Sequence, residues 1–180
     1  MNVPGRTPDP RAVNQLALQT TRLELRPLPA AAAGALPEDR ETAARLLVAA
    51  LSPGWPQPDL LDVLPMQAAV TRSGERFGVW VIIERESTTV VGDIGFMGPP
   101  GEDGSVEIGY SVIPDRRGRG YASEAVRVLV AWALAQRGVG SLAARCDLLN
   151  VPSIRILDRA GFARSGESNG QIRWRLEKGP

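Results

Sequence analysis

Arg116 to Ala122, reading Arg-Arg-Gly-Arg-Gly-Tyr-Ala, lies between a stretch with the period of a strand and one with the period of a helix. No other segment constrains the fold as much. Before it, Val106 to Ile113 alternates in polarity; after it, a helical pattern runs from about Ala122 to Arg137. Gly118 and Gly120 can take positive φ, and they let a ligand approach the backbone without meeting a Cβ. The unpaired N–H groups of the first helical turn sit at the positive end of the helix dipole. A strand, a glycine turn and a helix in that order suit a pyrophosphate. A solvated basic loop, or a weak phosphate patch for nucleic acid, would use the same residues. The turn is not a P-loop, because no Gly-Lys-Ser/Thr follows, and it does not fit the dinucleotide fingerprint.

Composition narrows the chemistry. The chain has 180 residues, 43% hydrophobic and 23% charged, which suits one soluble domain with a sizeable core. A net charge of +1 argues against a nucleic-acid binder that works by bulk charge. The chain has no histidine and a single cysteine, Cys146. Histidine triads and dyads, histidine or thiolate metal sites and internal disulfides are therefore all excluded, and no metal is expected. No window approaches the roughly 20 apolar residues of a membrane span. Met1 to Pro10 has three prolines and no apolar core, so it does not read as a secretory signal. A cytoplasmic protein without membrane or nucleic-acid partners is the expectation.

Residues 1–19 read as a flexible tail with a short helical end near Ala12 to Leu18, and 20–180 as a single domain. Thr21 to Leu28 alternates as a half-buried strand, and Ala30 to Ala35 is a small-residue linker. Leu36 to Asp39 opens a helix whose apolar stripe is Ala43, Leu46, Leu47, Ala50 and Leu51. Ser52 to Pro58, with three prolines, a glycine and Trp55, is a stiff loop. Trp55 is either a core anchor or a pocket wall. A second helix is expected over about Asp59 to Thr71, capped by Asp59 and kinked or split at Pro65. Phe77 to Glu84, Thr88 to Met97 and Ser105 to Ile113 form an antiparallel meander. Ser141 to Leu149 is expected to run parallel to Ser105–Ile113, through the helical crossover. Asn150 caps a short helix ended by Gly161, and a hairpin closes the chain.

Three segments occur in order: Glu107-Ile108-Gly109-Tyr110, then Arg117-Gly118-Arg119-Gly120-Tyr121-Ala122, then Asn150 and Ser153 with Gly161-Phe162 behind them. In this the chain resembles the GNAT N-acetyltransferases, in particular the branch of the ribosomal-protein alanine acetyltransferases, over about Thr21 to Leu176. The resemblance implies an α+β fold: a mixed, splayed central sheet of six or seven strands flanked by about four helices. It implies acetyl-CoA as cosubstrate, its pantetheine arm along Ser111, Val112 and Ile113. The pyrophosphate would rest on backbone N–H groups of Arg117, Gly118, Arg119, Gly120, Tyr121 and Ala122. Asn150 and Ser153 match positions near the sulfur, although Asn150 also reads as a plain helix cap and Ser153 as an exposed first-turn serine.

In the family a bound amine attacks the thioester directly. Glu107 is the candidate base, or else an ion-pair partner of a neighbouring arginine, and the Val112 N–H is the candidate to polarise the carbonyl. The tyrosine that many members use as thiolate acid is matched here by Leu157, which leaves Ser153, a water or no specific group in that role. Cys146 reads as a small buried strand residue. The acceptor is a small-molecule amine or a protein N-terminus, and an exposed edge strand would allow a homodimer. The rival reading is a non-catalytic acyl-CoA-binding sensor or scaffold domain.

Overall fold

The computed structural model describes residues 17–65 and 75–179. Among the described residues nine strands form one sheet: β1 (Leu18–Gln19), β2 (Leu23–Pro27), β3 (Ala50–Leu51), β4 (Val79–Glu84), β5 (Thr89–Phe96), β6 (Ser105–Val112), β7 (Ser141–Asp147), β8 (Ala163–Ser168) and β9 (Gln171–Glu177). Their order is β1-β2-β4-β5-β6-β7-β9-β8, with β3 beside β5. Helices α1 (Ala30–Ala35), α2 (Arg40–Leu47) and α3 (58–65) come before the meander. Helix α4 (Tyr121–Leu134) is the crossover from β6 to β7, and α5 (Val151–Arg159) leads to the closing hairpin. The fold class is α+β, as expected. The two additional strands, β1 and β3, are two residues each.

Local differences from the expected elements have local causes. Ala30–Ala35 is a helical turn rather than a linker, with Ala32 and Ala33 buried. Helix α2 stops at Leu47 because Val48 turns left-handed at φ 49°, so Ala50 and Leu51 pair with Thr89 and Val90 instead of extending the stripe. Asp59 does not cap α3; the Leu60 and Leu61 N–H groups bond the Gln57 carbonyl, which places Asp59 inside the first turn. The stretch from 66 to 74, including the far end of the expected second helix, lies outside the described residues, as do residues 1–16 of the expected 1–19 tail; within that tail Leu18 and Gln19 form β1, paired with Leu25 and Glu24.

Each face of the sheet has its own core. On one, α4 buries Tyr121, Ala125, Val126, Leu129, Val130 and Ala133 against the strands, including Leu25, Ile94, Ile108 and Leu142. That spacing is the i, i+4 stripe of an amphipathic helix. The Trp132 ring lies 5.1 to 5.8 Å from those of Phe77, Trp80 and Phe96. On the other face α1, α2 and α3 enclose Trp55, Val81, Ile83 and Val90.

The pairing of β6 with β7 positions the site. It is parallel and covers only Ser105↔Ser141 to Ile108↔Ala144. Beyond Ile108, β6 continues on β5 and β7 on β9, so the two strands part. In this register the Glu107 carbonyl and the Ile113 N–H bond toward β5. Backbone groups alternate along a strand, so those of Tyr110 and Val112 face the opening.

Candidate active site

A cavity of about 590 Å³ fills that opening. One wall is the turn into α4. Gly118 and Gly120 take φ of 73° and 82°, a conformation that L side chains rarely adopt. Gly120 is the N-cap and brings no side-chain bond, and the first main-chain bond of the helix runs from the Glu124 N–H to the Gly120 carbonyl. The N–H groups of Tyr121, Ala122 and Ser123 are therefore left for a ligand. The sequence expects an anion site here, and the geometry leaves these three N–H groups without a main-chain partner.

The turn is braced from behind. Arg22 on the β1–β2 turn donates from Nη1 to the Arg119 carbonyl (2.9 Å), and from Nη2 and Nε to Glu124 Oε2 (2.6 and 2.9 Å). Its guanidinium also lies 4.9 Å from the centre of the Tyr121 ring. Arg116 donates to both oxygens of buried Glu84 (2.9 and 3.1 Å), and the Tyr121 hydroxyl donates to the same carboxylate. The hydroxyls of Ser87 and Tyr121 hold the Glu84 carboxyl below its ordinary range in spite of burial.

The facing wall is the start of α5. Asn150 caps that helix, its side chain accepting from the Ser153 N–H at 3.1 Å, and both residues also line the cavity. Tyr110 reaches across from β6, its hydroxyl 3.5 Å from the Ser153 carbonyl. Burial pushes the Tyr110 phenol up to about 12 and keeps it protonated. Leu157 is fully buried and faces the core, so it presents nothing to the cavity.

A third wall comes from the proline-rich loop, through residues that the sequence did not single out for the site. Gln57 and Asp59 line the cavity together with Ser111. Gln57 Oε1 accepts from Arg117 Nη2 (3.1 Å), and Gln57 Nε2 donates to Ser111 Oγ (2.7 Å). The Ser111 hydroxyl and the Trp55 indole N–H both donate to Asp93 Oδ2 (3.2 and 2.9 Å). Trp55 is a core anchor, fully buried, with its polar edge turned to the site; Arg40 holds its loop through the Ser52 and Trp55 carbonyls. The signal for this wall was the proline-rich loop itself, whose stiffness lets it present side chains at fixed positions.

Of the expected residues, Ser111, Val112, Arg117, Gly118, Gly120, Tyr121, Ala122, Asn150 and Ser153 line one cavity. Ile113 does not: it is buried on the other face, with its N–H bonded to the Val91 carbonyl. Arg119 contributes its carbonyl to the brace and is absent from the lining. Glu107, the expected base, is also absent from it; its carboxylate pairs with Arg145 Nη2 at 2.9 Å, the ion-pair arrangement. Cys146 is buried, 3.2 Å from the Trp174 indole nitrogen. Among the described residues no cluster of metal-binding side chains occurs, and no helix is long and apolar enough to cross a membrane.

Residues 22–163 match the family described as acetyltransferase (GNAT) domain. Over 160 residues the chain is 30% identical to an uncharacterized N-acetyltransferase of Bacillus subtilis, YjdG, covering 87% of this chain and 95% of that one. Among solved structures it is similar to a ribosomal-protein-S5-alanine acetyltransferase from Vibrio fischeri (16% identity, 91% and 97% coverage, TM-score 0.65). It is also similar to RimL, a ribosomal L7/L12 alpha-N-protein acetyltransferase solved with coenzyme A (18% identity, 88% and 95% coverage, TM-score 0.64).

Proposed function

The chain belongs to the GNAT acetyltransferase family and is an acyl-CoA-dependent N-acetyltransferase; on that premise we propose that it moves an acetyl group from acetyl-CoA to a primary amine by direct attack within a ternary complex. The observation that carries this is the parting of β6 from β7 after Ile108, which opens directly onto the uncapped first turn of α4. The pyrophosphate rests on the N–H groups of that turn, with Arg117 and Arg116 supplying charge. The pantetheine arm runs along Tyr110 to Val112, one residue short of the expected edge, because the Ile113 N–H is already bonded. The Val112 N–H polarises the thioester carbonyl, and Asn150 and Ser153 stand at the sulfur end.

The amine enters from the side of Gln57 and Asp59. A protein N-terminus ranks ahead of a small-molecule amine, because both structural relatives described above are named for ribosomal-protein acceptors. Chain-wide, this reading assigns binding to main-chain groups and acceptor choice to side chains.

Calorimetry with acetyl-CoA and desulfo-CoA, on the wild type and on Gly120→Trp, tests the site. The wild type should bind both, and the tryptophan should abolish binding by covering the N–H groups. An amine screen scored by free thiol release then separates an enzyme from a sensor. A wild type that binds neither ligand would remove the site assignment altogether.

A further inference from the structure

The carboxylates near the cavity divide into two kinds. Glu84, Glu107 and Glu124 each pair with an arginine: Arg116, Arg145 and Arg22. Neither Asp59, exposed at the cavity rim, nor Asp93 has a cation among the described residues, and of the two only Asp93 is withdrawn from solvent. It sits half-buried on the central strand β5, directly opposite Ser111 on β6, where the sheet opens. Only neutral donors reach it, the Trp55 indole and the Ser111 hydroxyl, both on Oδ2. The neighbouring Gly92 brings the two strands together at this point, since a Cβ there would lie 2.2 Å from the Ser111 carbonyl oxygen. Of the elements packed around Asp93, β4 pairs Val81 with it, the loop presents Trp55 and Gln57, and α3 contributes the negative charge of Asp59.

A half-buried carboxylate held by neutral donors and left without a cation is poised to accept a proton. We propose that Asp93 is the proton acceptor for the incoming amine, reached through the hydroxyl of Ser111, which lines the cavity. The proposal rests on the acetyltransferase reading above. Burial, opposed by its two hydrogen bonds and reinforced by Asp59, brings the Asp93 carboxyl up to about 6, close to working pH.

The step balances without a further reactant. The acceptor arrives as an ammonium ion and gives one proton to Ser111 Oγ while the serine proton passes to Asp93. The freed lone pair attacks the thioester carbonyl carbon; the N–C bond forms and the C–S bond breaks, its electron pair leaving on sulfur. A second N–H proton goes to that sulfur, and Asp93 returns its proton to water. The products are the amide, the free thiol and one released proton.

The test uses the full chain, with an alanine-initiated peptide and hydroxylamine as the two acceptors. Hydroxylamine is largely neutral at pH 7 and needs no base. Asp93→Asn should lower kcat/KM for the peptide by about 100-fold or more and remove its rise through the acid range, sparing hydroxylamine. Acetyl-CoA binding should be retained. Ser111→Ala should reproduce the selective loss, and the double variant should be no worse than either single one. In the wild type the Trp55 indole N–H resonance should titrate with a midpoint of about 6, and in Asp93→Asn it should not. An unchanged peptide rate in Asp93→Asn overturns the proposal. So does an equal loss with both acceptors, or a wild type that binds acetyl-CoA and acetylates neither. A wild type that does not bind acetyl-CoA removes the acetyltransferase site itself, and this proposal with it.

Discussion

On the α4 side of the cavity the groups that face a ligand are main-chain amides of one continuous turn, whereas on the α3 side they are the side chains of Gln57, Asp59 and Ser111. The first wall needs glycines, a helix terminus and a brace behind it. The second needs three segments brought together, with Trp55 filling the core beneath them. This difference teaches where substitutions should act. Changes behind the first wall should alter cosubstrate affinity, and changes in the second should alter stability and acceptor chemistry. Each of the following variants could break that division.

The largest effect belongs to Trp55→Ala. Truncating a fully buried tryptophan should cost about 3–5 kcal/mol in urea unfolding. Trp55→Phe should cost less, about 1–3 kcal/mol, by removing one hydrogen bond from Asp93. If Trp55→Phe weakened acetyl-CoA binding as much as it changed stability, the two walls would not be separable.

Next comes the pH dependence of stability. The Asp93 carboxyl is raised in the folded protein, so the folded state binds the proton more tightly than the unfolded chain does. Its contribution is fully present below the unfolded value of 3.8 and is lost as pH rises through about 6. Stability should fall by about 2–3 kcal/mol across that window, and Asp93→Asn should remove the fall. Urea midpoints measured at pH 4 and pH 7 on both proteins decide it.

A smaller effect is expected from Arg22→Ala, which removes the brace behind the glycine turn but no cavity residue. Acetyl-CoA should bind about tenfold more weakly, roughly 1.4 kcal/mol. Because the ion pair is partly exposed, unfolding should change by no more than about 1 kcal/mol. The smallest effect should come from Glu107→Gln, whose ion pair with Arg145 is also partly exposed: stability within about 1 kcal/mol and an almost unchanged rate. A 100-fold loss of kcat/KM there would return the base to β6 and displace Asp93.

The turn at Arg116–Ala122, the α4 stripe, the Asn150 cap and the antiparallel meander were legible because each depends on residues a few positions apart. Glu107 illustrates the limit of that reading. Its place on the central strand suggested a base, yet strand position alone does not say which face or partner a carboxylate has. Asp93 carried no local signal at all. Its partners lie 18 and 38 residues away, and Gln57 lies 54 residues from Ser111. The wall they form depends on the sheet register.

Thus the order strand, glycine turn, helix was enough to read a helix start with free main-chain N–H groups, because such groups need no distant partner. Even the family was written in spacings along the chain. Only the tertiary structure decided how far β6 and β7 stay paired, and so where the cavity opens. It also decided which carboxylates meet an arginine and which do not. That outcome depends on packing two faces of one sheet at once, and a side chain's charge environment is set by neighbours in space rather than in sequence.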